Sequence, residues 1–244
     1  MRTCKRDDPP MATVTRTSPL ASTRLIGLAG LDSFVLIIVA TFVAPPLWNA
    51  PGTTASKVDV AAYSQHYGGR IIASLLIYSL AMGMFLCFAG GLWAWLRERE
   101  PAPQVISATF ALAAVALVVL ILAAFVPVYL LSYRIQPPVI AGPLGDLTFG
   151  LLALSGIPTA VCLGAYAELV VRLRVLPAWT AWLAALGAVT HVFIAASFVS
   201  HGAFLSVEGS VRVWVPATFF AWILATSAVL LVAESRVVPP RAKP

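Results

Sequence analysis

The sequence predicts an all-α polytopic membrane protein, a bundle of six transmembrane helices with both termini cytoplasmic. Hydrophobic residues make up 60% of the 244 positions and charged residues only 11%, whereas soluble domains carry about 25% charged residues. The mean hydropathy of +0.90 leaves too little polar surface to cover a soluble domain of this length. Six long apolar runs and an uneven distribution of Lys and Arg along the chain favour the same fold class.

Each of the six apolar runs is long enough to cross a bilayer. About 20 residues of helix span a hydrocarbon core roughly 30 Å thick. Backbone polar groups in lipid are satisfied only in helices or closed barrels, and runs of this length without alternation predict helices. The predicted spans are residues 25–43, 71–96, 105–133, 147–171, 179–199 and 213–232.

The first run is predicted to stay in the protein as a helix and not to be cleaved as a signal peptide. Its apolar core exceeds the roughly 7 to 15 residues of a signal peptide, and proline follows the small residues Ala44 and Ala50. Residues 1–24 are expected to form a disordered basic arm, residues 25–233 the six-helix transmembrane domain, and residues 234–244 a short basic tail.

A helix start is predicted ahead of the second run. Ser56 and Asp59 have the Ser-x-x-acid spacing of a capping box, in which the serine hydroxyl accepts a hydrogen bond from a free backbone amide. We therefore expect a short helix over residues 57–67 that leads into the second span.

The basic residues predict the orientation. Twelve of the 16 Lys and Arg residues fall on one side of the predicted topology, and the positive-inside rule makes that side cytoplasmic. The sequence thus predicts a multi-pass protein of the bacterial cytoplasmic membrane, with anionic inner-leaflet lipids as partners of its basic segments. The net charge of +6 is explained by this topology, and no nucleic-acid partner is expected. The four basic residues on the outer side are Lys57, Arg70, Arg134 and Arg212.

One acidic residue lies deep in the first predicted span. Asp32 follows Arg24 by eight positions, which places it about 12 Å into the bilayer at about 1.5 Å per residue. A carboxylate at the centre of a membrane helix costs roughly 2.5 to 3.5 kcal/mol on insertion scales, so it is a functional candidate. Gly27, Gly30 and Ser33 are small enough for another helix to approach closely. We expect Asp32 to face the bundle interior.

His191, in the fifth predicted span, is the natural partner for Asp32. The two residues lie about 6 Å apart in depth at about 1.5 Å per residue, so a carboxylate and an imidazole can share a hydrogen bond or pass a proton. Two interpretations stay open. In the first, Asp32 and His191 form a relay. In the second, Asp32 is protonated or hydrogen-bonded to a neighbouring Ser or Thr, and His191 is a core histidine near Thr190.

Two charged features of the fourth span have structural explanations. Asp146 is expected at the N-terminal end of the helix, where a carboxylate caps free amides and complements the helix dipole. Glu168 and Arg172 have the favoured order of an i,i+4 ion pair near the other end of the same helix.

Pro127 and Pro158 lie inside the third and fourth spans and are possible helix kinks, because proline frees a backbone carbonyl. Broken helices mark the sites of many transporters, where the breaks recur in corresponding halves. If helices one to three were repeated as helices four to six, helix three would correspond to helix six and helix one to helix four. A proline matching Pro127 would then lie in helix six, and one matching Pro158 in helix one. We expect no proline at those matching positions, which weakens an inverted-repeat transporter.

His66, His201, Asp59 and Glu208 fall on the predicted outer side and are weak candidates for a metal such as zinc. No pair of them has ligand spacing within one helix, so the sequence predicts no metal site and no cofactor. Only His191 is deep enough to ligate haem, which argues against a b-type cytochrome. No HExxH, GxSxG, Walker A or GxGxxG motif occurs, and no catalytic residue is predicted.

Two stretches resemble a known group of membrane proteins. Residues 61–100 combine a tyrosine-rich segment, Arg70 at the membrane entry, a long aromatic helix and a basic end. Residues 154–189 join two helices through the turn Leu176-Pro177-Ala178-Trp179. Together they resemble small actinobacterial six-helix integral-membrane proteins of uncharacterised function. The resemblance implies the six-helix topology and adds no catalytic residue.

Three function classes remain open. The leading hypothesis is a noncatalytic integral membrane protein that acts through lipid or through a membrane protein partner. The second is a small-solute or proton-coupled transporter that uses Asp32 and His191. The third is an intramembrane enzyme acting on lipid, for which the outer-face histidines are the only hint. The first two differ in whether Asp32 and His191 face a water-accessible cavity or a dry helix contact.

Overall fold

The computed structural model describes residues 19–45, 51, 55–134, 136–197 and 211–235. These residues form six helices, each long and apolar enough to cross a membrane, so the chain folds as a multi-pass integral membrane protein. The predicted six-helix bundle is confirmed. The helices are α1 (Pro19–Val43), α2 (Lys57–Arg97), α3 (Val105–Tyr133), α4 (Pro138–Leu173), α5 (Ala178–Ala196) and α6 (Val211–Ser235).

Two helices are much longer than a bilayer requires. The 41 residues of α2 and the 36 residues of α4 give lengths of about 61 Å and about 54 Å at about 1.5 Å per residue. The predicted capping box is present, because the Asp59 amide donates to the Ser56 hydroxyl oxygen at 3.1 Å. The segment it starts is the first part of α2 itself, since no break separates it from the span.

The helices are arranged in a ring in chain order. Each helix packs against the next along the chain, α6 packs against α1 to close the ring, and α2 and α4 also touch across it. A Cβ atom at Gly27 would lie 2.8 Å from Leu231, so the start of α1 lies beside the end of α6. The two ends of the described chain therefore lie at the same end of the bundle.

That end also carries the α2–α3 and α4–α5 connections, and we call it the basic end. The guanidinium of Arg97 lies 5.3 Å from the centre of the Trp93 ring, and that of Arg99 lies 4.2 Å from the Trp95 ring. Arginine over an aromatic face is a favourable pairing where an apolar phase meets water. We call the opposite end, where α2 and α4 begin, the cavity end.

The ion pair predicted in α4 is also at the basic end. Glu168 and Arg172 form an i,i+4 salt bridge, as their order predicts. Both side chains are largely exposed, and an exposed pair of this kind stabilises a helix by only about 0.3 to 0.5 kcal/mol.

Glu100, in the α2–α3 connection, caps α3. Its carboxylate accepts hydrogen bonds from the backbone amides of Ile106 at 3.1 Å and Ser107 at 2.9 Å, whereas Gln104, the residue preceding the helix, makes no side-chain cap. Burial acts to raise the pKa of Glu100, but the hydrogen bonds from Ser107 and Ile106 and the nearby Arg172 outweigh it. The pKa of this carboxyl is therefore lower than usual.

Large aromatic side chains occupy the centre of the ring. The ring of Trp222 on α6 lies 5.7 Å from that of Phe88 on α2 and 5.1 Å from that of Tyr166 on α4, both edge-on. All three side chains are fully buried. Edge-to-face pairs of this kind stabilise a core by about 0.5 to 1.5 kcal/mol beyond their burial, so the centre is a packed core.

We predict that Glu100→Gln lowers the stability of the protein by about 1 kcal/mol at neutral pH, because a charged helix cap is lost. A carboxyl with a lowered pKa in the folded state stabilises the fold above its unfolded pKa, and this contribution is lost as the pH falls through the folded value. Thermal unfolding in detergent micelles at pH 7 and near pH 3 measures both effects. The difference between wild type and variant should shrink at the lower pH, whereas the exposed Glu98→Gln control should match wild type at both.

Candidate functional site

Asp32 lies on the outside of the bundle. It sits near the middle of the apolar stretch Thr23–Val43 of α1, and its side chain is exposed. The exposed residues at helical spacing around it are all apolar, and together they form a surface that we call the Asp32 face. Its members are Leu25, Leu28, Asp32, Val35, Val39 and Phe42.

The opposite face of α1 is buried against α2 and α6, and Ser33 takes the interior position expected for Asp32. The Ser33 hydroxyl is fully buried and donates to the Ala81 carbonyl oxygen of α2 at 2.9 Å. A Cβ atom at Gly30 would overlap Ser227 of α6 and lie 2.7 Å from the Phe88 ring. The close approach predicted from the small residues is therefore confirmed. The expectation that Asp32 faces the interior is wrong, because adjacent residues point about 100° apart on a helix.

His191 is a buried core residue of α5. Its ring Nδ1 lies 2.7 Å from the Gly187 carbonyl oxygen, and because a carbonyl only accepts, Nδ1 carries the donated hydrogen. The imidazole packs edge-on against Phe219 with ring centres 6.0 Å apart. On the backbone side, a Cβ atom at Gly156 would lie 2.6 Å from the His191 carbonyl oxygen. The histidine is thus held by its own helix and by tight packing of α4 against α5.

The structure does not bring Asp32 and His191 together. In the described chain α1 packs against α2 and α6 only, and α5 packs against α4 and α6. The hydrogen bond between them, on which the transporter hypothesis depended, is therefore absent.

The internal prolines add no support for the transporter hypothesis, since α3 continues past Pro127 and α4 past Pro158. Helix α6 has an internal proline, Pro216, but it lies near the helix start whereas Pro127 lies near the end of α3. Whether either helix kinks there stays a prediction.

A second polar cluster in the core was not predicted from the sequence. The Tyr166 hydroxyl on α4 lies 3.1 Å from the Thr180 hydroxyl of α5 and 3.2 Å from the Thr226 hydroxyl of α6. All three residues are buried. The cluster joins three helices near the basic end. In the sequence these are single Tyr and Thr residues within apolar runs. Such residues do not reveal which of them come into contact in the folded protein.

A cavity of about 200 Å³ lies at the cavity end between α2, α3 and α4. Most of its lining is apolar, and Lys57 of α2 and Asp146 of α4 are the charged side chains on its wall. Asp146 does not cap α4, contrary to our expectation, because the helix begins at Pro138, more than two turns earlier. The lining also includes Val60, Tyr63, Ser64, Ile71, Val128, Leu131, Gly142, Gly145, Thr148 and Phe149.

The four weak outer-face candidates for a metal site lie only partly within the described chain. His66 is exposed on α2 and its ring contacts Tyr67 edge-on at 4.5 Å, while Asp59 bonds to Ser56. His201 and Glu208 lie outside the described residues. Among the residues the structure does describe, no three His, Cys, Asp or Glu side chains gather closely enough to hold a metal ion.

Comparison with known proteins yields no relative: no family model, no curated protein and no solved structure matches the chain.

We predict that Asp32 and His191 contribute to stability independently. Residues that share no partner and lie far apart have additive mutational effects within about 0.3 to 0.5 kcal/mol. The free energies of unfolding of Asp32→Asn, His191→Ala and the double variant, measured in detergent micelles, should therefore sum. Coupling well above that limit would show that the two residues communicate after all. Tyr166→Phe and Thr226→Val form the matched comparison, because the two wild-type hydroxyls are in contact. Their effects on the free energy of unfolding should be non-additive.

Proposed function

We propose that this chain is a noncatalytic membrane protein that acts by lateral association with another membrane protein through the Asp32 face. The observation that carries this proposal is the position of Asp32, exposed near the middle of a span and surrounded by apolar residues. A charged carboxylate facing lipid costs roughly 2.5 to 3.5 kcal/mol, and such residues almost always pair inside a bundle or line a cavity. A bundle that leaves one exposed at mid-span is complete only when another helix covers it.

The packing of α1 keeps Asp32 from turning inward. Rotation of the helix would remove Gly30 from its close contact with Ser227 and Phe88 and break the Ser33 to Ala81 hydrogen bond. It would also remove the fully buried Ile37 from its packing contacts in the core, and such contacts hold membrane helices together. The carboxylate is therefore a fixed feature of the outer surface.

The partner that fits this face is a transmembrane helix with Lys or Arg at the depth of Asp32. Opposite charges within about 4 Å attract far more strongly in lipid than in water, and the apolar residues around Asp32 supply the packing surface. A second copy of the chain fits less well, because the spans hold no Lys or Arg at mid-depth. It would offer another carboxyl group, and two such groups pair only by sharing a proton.

The experiment uses the full chain in phosphatidylcholine vesicles with dansyl-labelled Leu-rich transmembrane peptides as probes. One peptide carries a central Lys and its matched control a central Leu, and tryptophan-to-dansyl energy transfer reports association. We expect the Lys peptide to bind about tenfold more tightly, as a gain of about 1.4 kcal/mol implies. Asp32→Asn should remove this preference, whereas Glu98→Gln, which removes an exposed carboxylate at the basic end, should keep it.

Equal energy transfer for both peptides with wild-type protein would contradict the proposal. Self-association is measured in parallel with donor- and acceptor-labelled copies of the chain. If self-association is strong and is lost in Asp32→Leu, the occupant of the Asp32 face is a second copy and the cationic partner is excluded.

We further propose that the basic end faces the cytoplasm of a bacterial cell, next to anionic inner-leaflet lipids. The support is the concentration of Arg97, Arg99, Arg172 and Arg174 in the two connections at this end, which the positive-inside rule assigns to the cytoplasm. Reporter fusions after Arg99 and Arg174 should read cytoplasmic, and a fusion after Gln136 should read external. The reverse pattern would invert the topology without affecting the proposal for Asp32.

A further inference from the structure

The outer side of α2 carries two glycines that no contact within the described chain explains. A Cβ atom at Gly83 or Gly90 would have nothing within 4 Å, whereas one at Gly91 would lie 2.6 Å from Ile26 of α1. After proline, glycine is the residue that least favours a helix, so Gly83 and Gly90 weaken α2 without improving its packing in the bundle. What they permit is a close approach from outside the bundle.

Gly83 and Gly90 belong to a row of exposed residues whose spacing alternates between four and three. We call this row the glycine face, and its members are Leu76, Leu80, Gly83, Cys87, Gly90 and Ala94. An average spacing of 3.5 residues is that of the seam along which two helices pack in a coiled coil. The spacing of the glycine face therefore matches the seam that a further helix would need.

Asp32 is an independent feature of α1, and it lies at the same depth as the glycine face. The Ser33 hydroxyl donates to the Ala81 carbonyl oxygen of α2 at 2.9 Å. A Cβ atom at Gly30 would lie 2.7 Å from the Phe88 ring of α2. Because Asp32 lies between Gly30 and Ser33, it is level with the middle of the glycine face.

Asp32 also borders α2 and not α6. At about 100° per residue, Asp32 points about 100° away from Ser33 and about 140° away from Gly27. Ser33 contacts α2, whereas Gly27 contacts α6. A helix that lies in the groove between α1 and α2 can therefore contact the carboxylate and the glycine face together.

We propose that the partner helix of the Asp32 face lies in this groove, with its Lys or Arg against Asp32 and its apolar side chains in the space beside Gly83 and Gly90. The inference rests on the proposed function, because charge complementarity at Asp32 is what selects a cationic helix as the occupant over lipid chains. It adds the position of the partner. The partner's basic residue and its packing seam contact two different helices of this chain.

The first test measures binding of the dansyl-labelled Lys peptide in phosphatidylcholine vesicles to Gly83→Leu and Gly90→Leu. Both variants keep Asp32 and should fold, because nothing lies within 4 Å of either Cβ position. A leucine on the glycine face should weaken binding of the Lys peptide about fivefold, which corresponds to about 1 kcal/mol. Gly164→Leu on α4 is the matched control, since its Cβ position is equally free, and it should bind as wild type does.

The second test locates the peptide on the protein without changing the glycine face. Cys87 is exposed on that face, whereas Cys162 is buried. In a Cys4→Ser background, a Lys peptide with a cysteine one helical turn from its lysine should form a disulfide with Cys87 under mild oxidation. Asp32→Asn should lower the yield of this cross-link, and Cys87→Ser should abolish it.

The outcomes separate this inference from the proposed function. Unchanged peptide binding in both glycine variants, or the absence of a cross-link at Cys87, would overturn the inference. The proposed function would still stand if wild type prefers the Lys peptide and Asp32→Asn removes that preference. Equal binding of the Lys and Leu peptides to wild type would contradict both. If the glycine variants weaken self-association of the chain and not peptide binding, the glycine face holds a second copy and the inference is wrong.

Discussion

The close packing of α1 against α2 and α6 at Gly30 is the contact on which the rest of the arrangement depends. A Cβ atom at Gly30 would overlap the Ser227 hydroxyl and lie 2.7 Å from the Phe88 ring, and one at Gly27 would lie 3.1 Å from the Ser227 carbonyl oxygen. The small residues of α1 therefore let both neighbouring helices approach closely. This contact closes the ring of six helices and fixes the rotation of α1. With that rotation fixed, Ser33 is buried and Asp32 is on the outer surface.

The contact between α1 and α2 shows how polar side chains are accommodated in an apolar phase. Along α1 and α2, the side chains of Ser33, Ser74 and Arg70 each donate to a backbone carbonyl of the facing helix. In lipid, every backbone polar group must be satisfied within the protein, and buried hydroxyl groups gain from the same kind of bond. Among the described residues Asp32 makes no such bond. It differs from the unbonded but buried hydroxyl of Ser227 because it is a carboxyl group exposed at mid-span.

The Asp32 face, the core and the cavity have separate physical characters. The core around Trp222 is filled by aromatic rings, so the centre of the ring offers packing and not a polar path. The Asp32 face is apolar with one charge at mid-span, and it suits another helix. The cavity between α2, α3 and α4 has a mostly apolar lining and two exposed charged side chains, Lys57 and Asp146, on its wall.

The sequence by itself determined the number of helices, and it located their membrane-spanning parts, the Ser56 cap and the Glu168–Arg172 ion pair. Each of these depends on residues that are close along one chain. The Ser56 cap predicted the helical start of α2 but not its unbroken continuation into the span. The sequence did not predict that α4 begins at Pro138, ahead of its predicted span, because these extra turns are less apolar than the span.

Which face of each helix points inward was decided only by the tertiary structure. In a soluble protein, polar residues mark the outer face of a helix, but lipid is as apolar as the core, so α1 is apolar on nearly all sides. Asp32 and Ser33 are neighbours in the chain, and either could have been buried on local grounds. The choice between them, the separation of Asp32 from His191, and the meeting of Lys57 with Asp146 at one cavity all follow from which helices are neighbours. That information lies in contacts between distant parts of the chain and not in any single span.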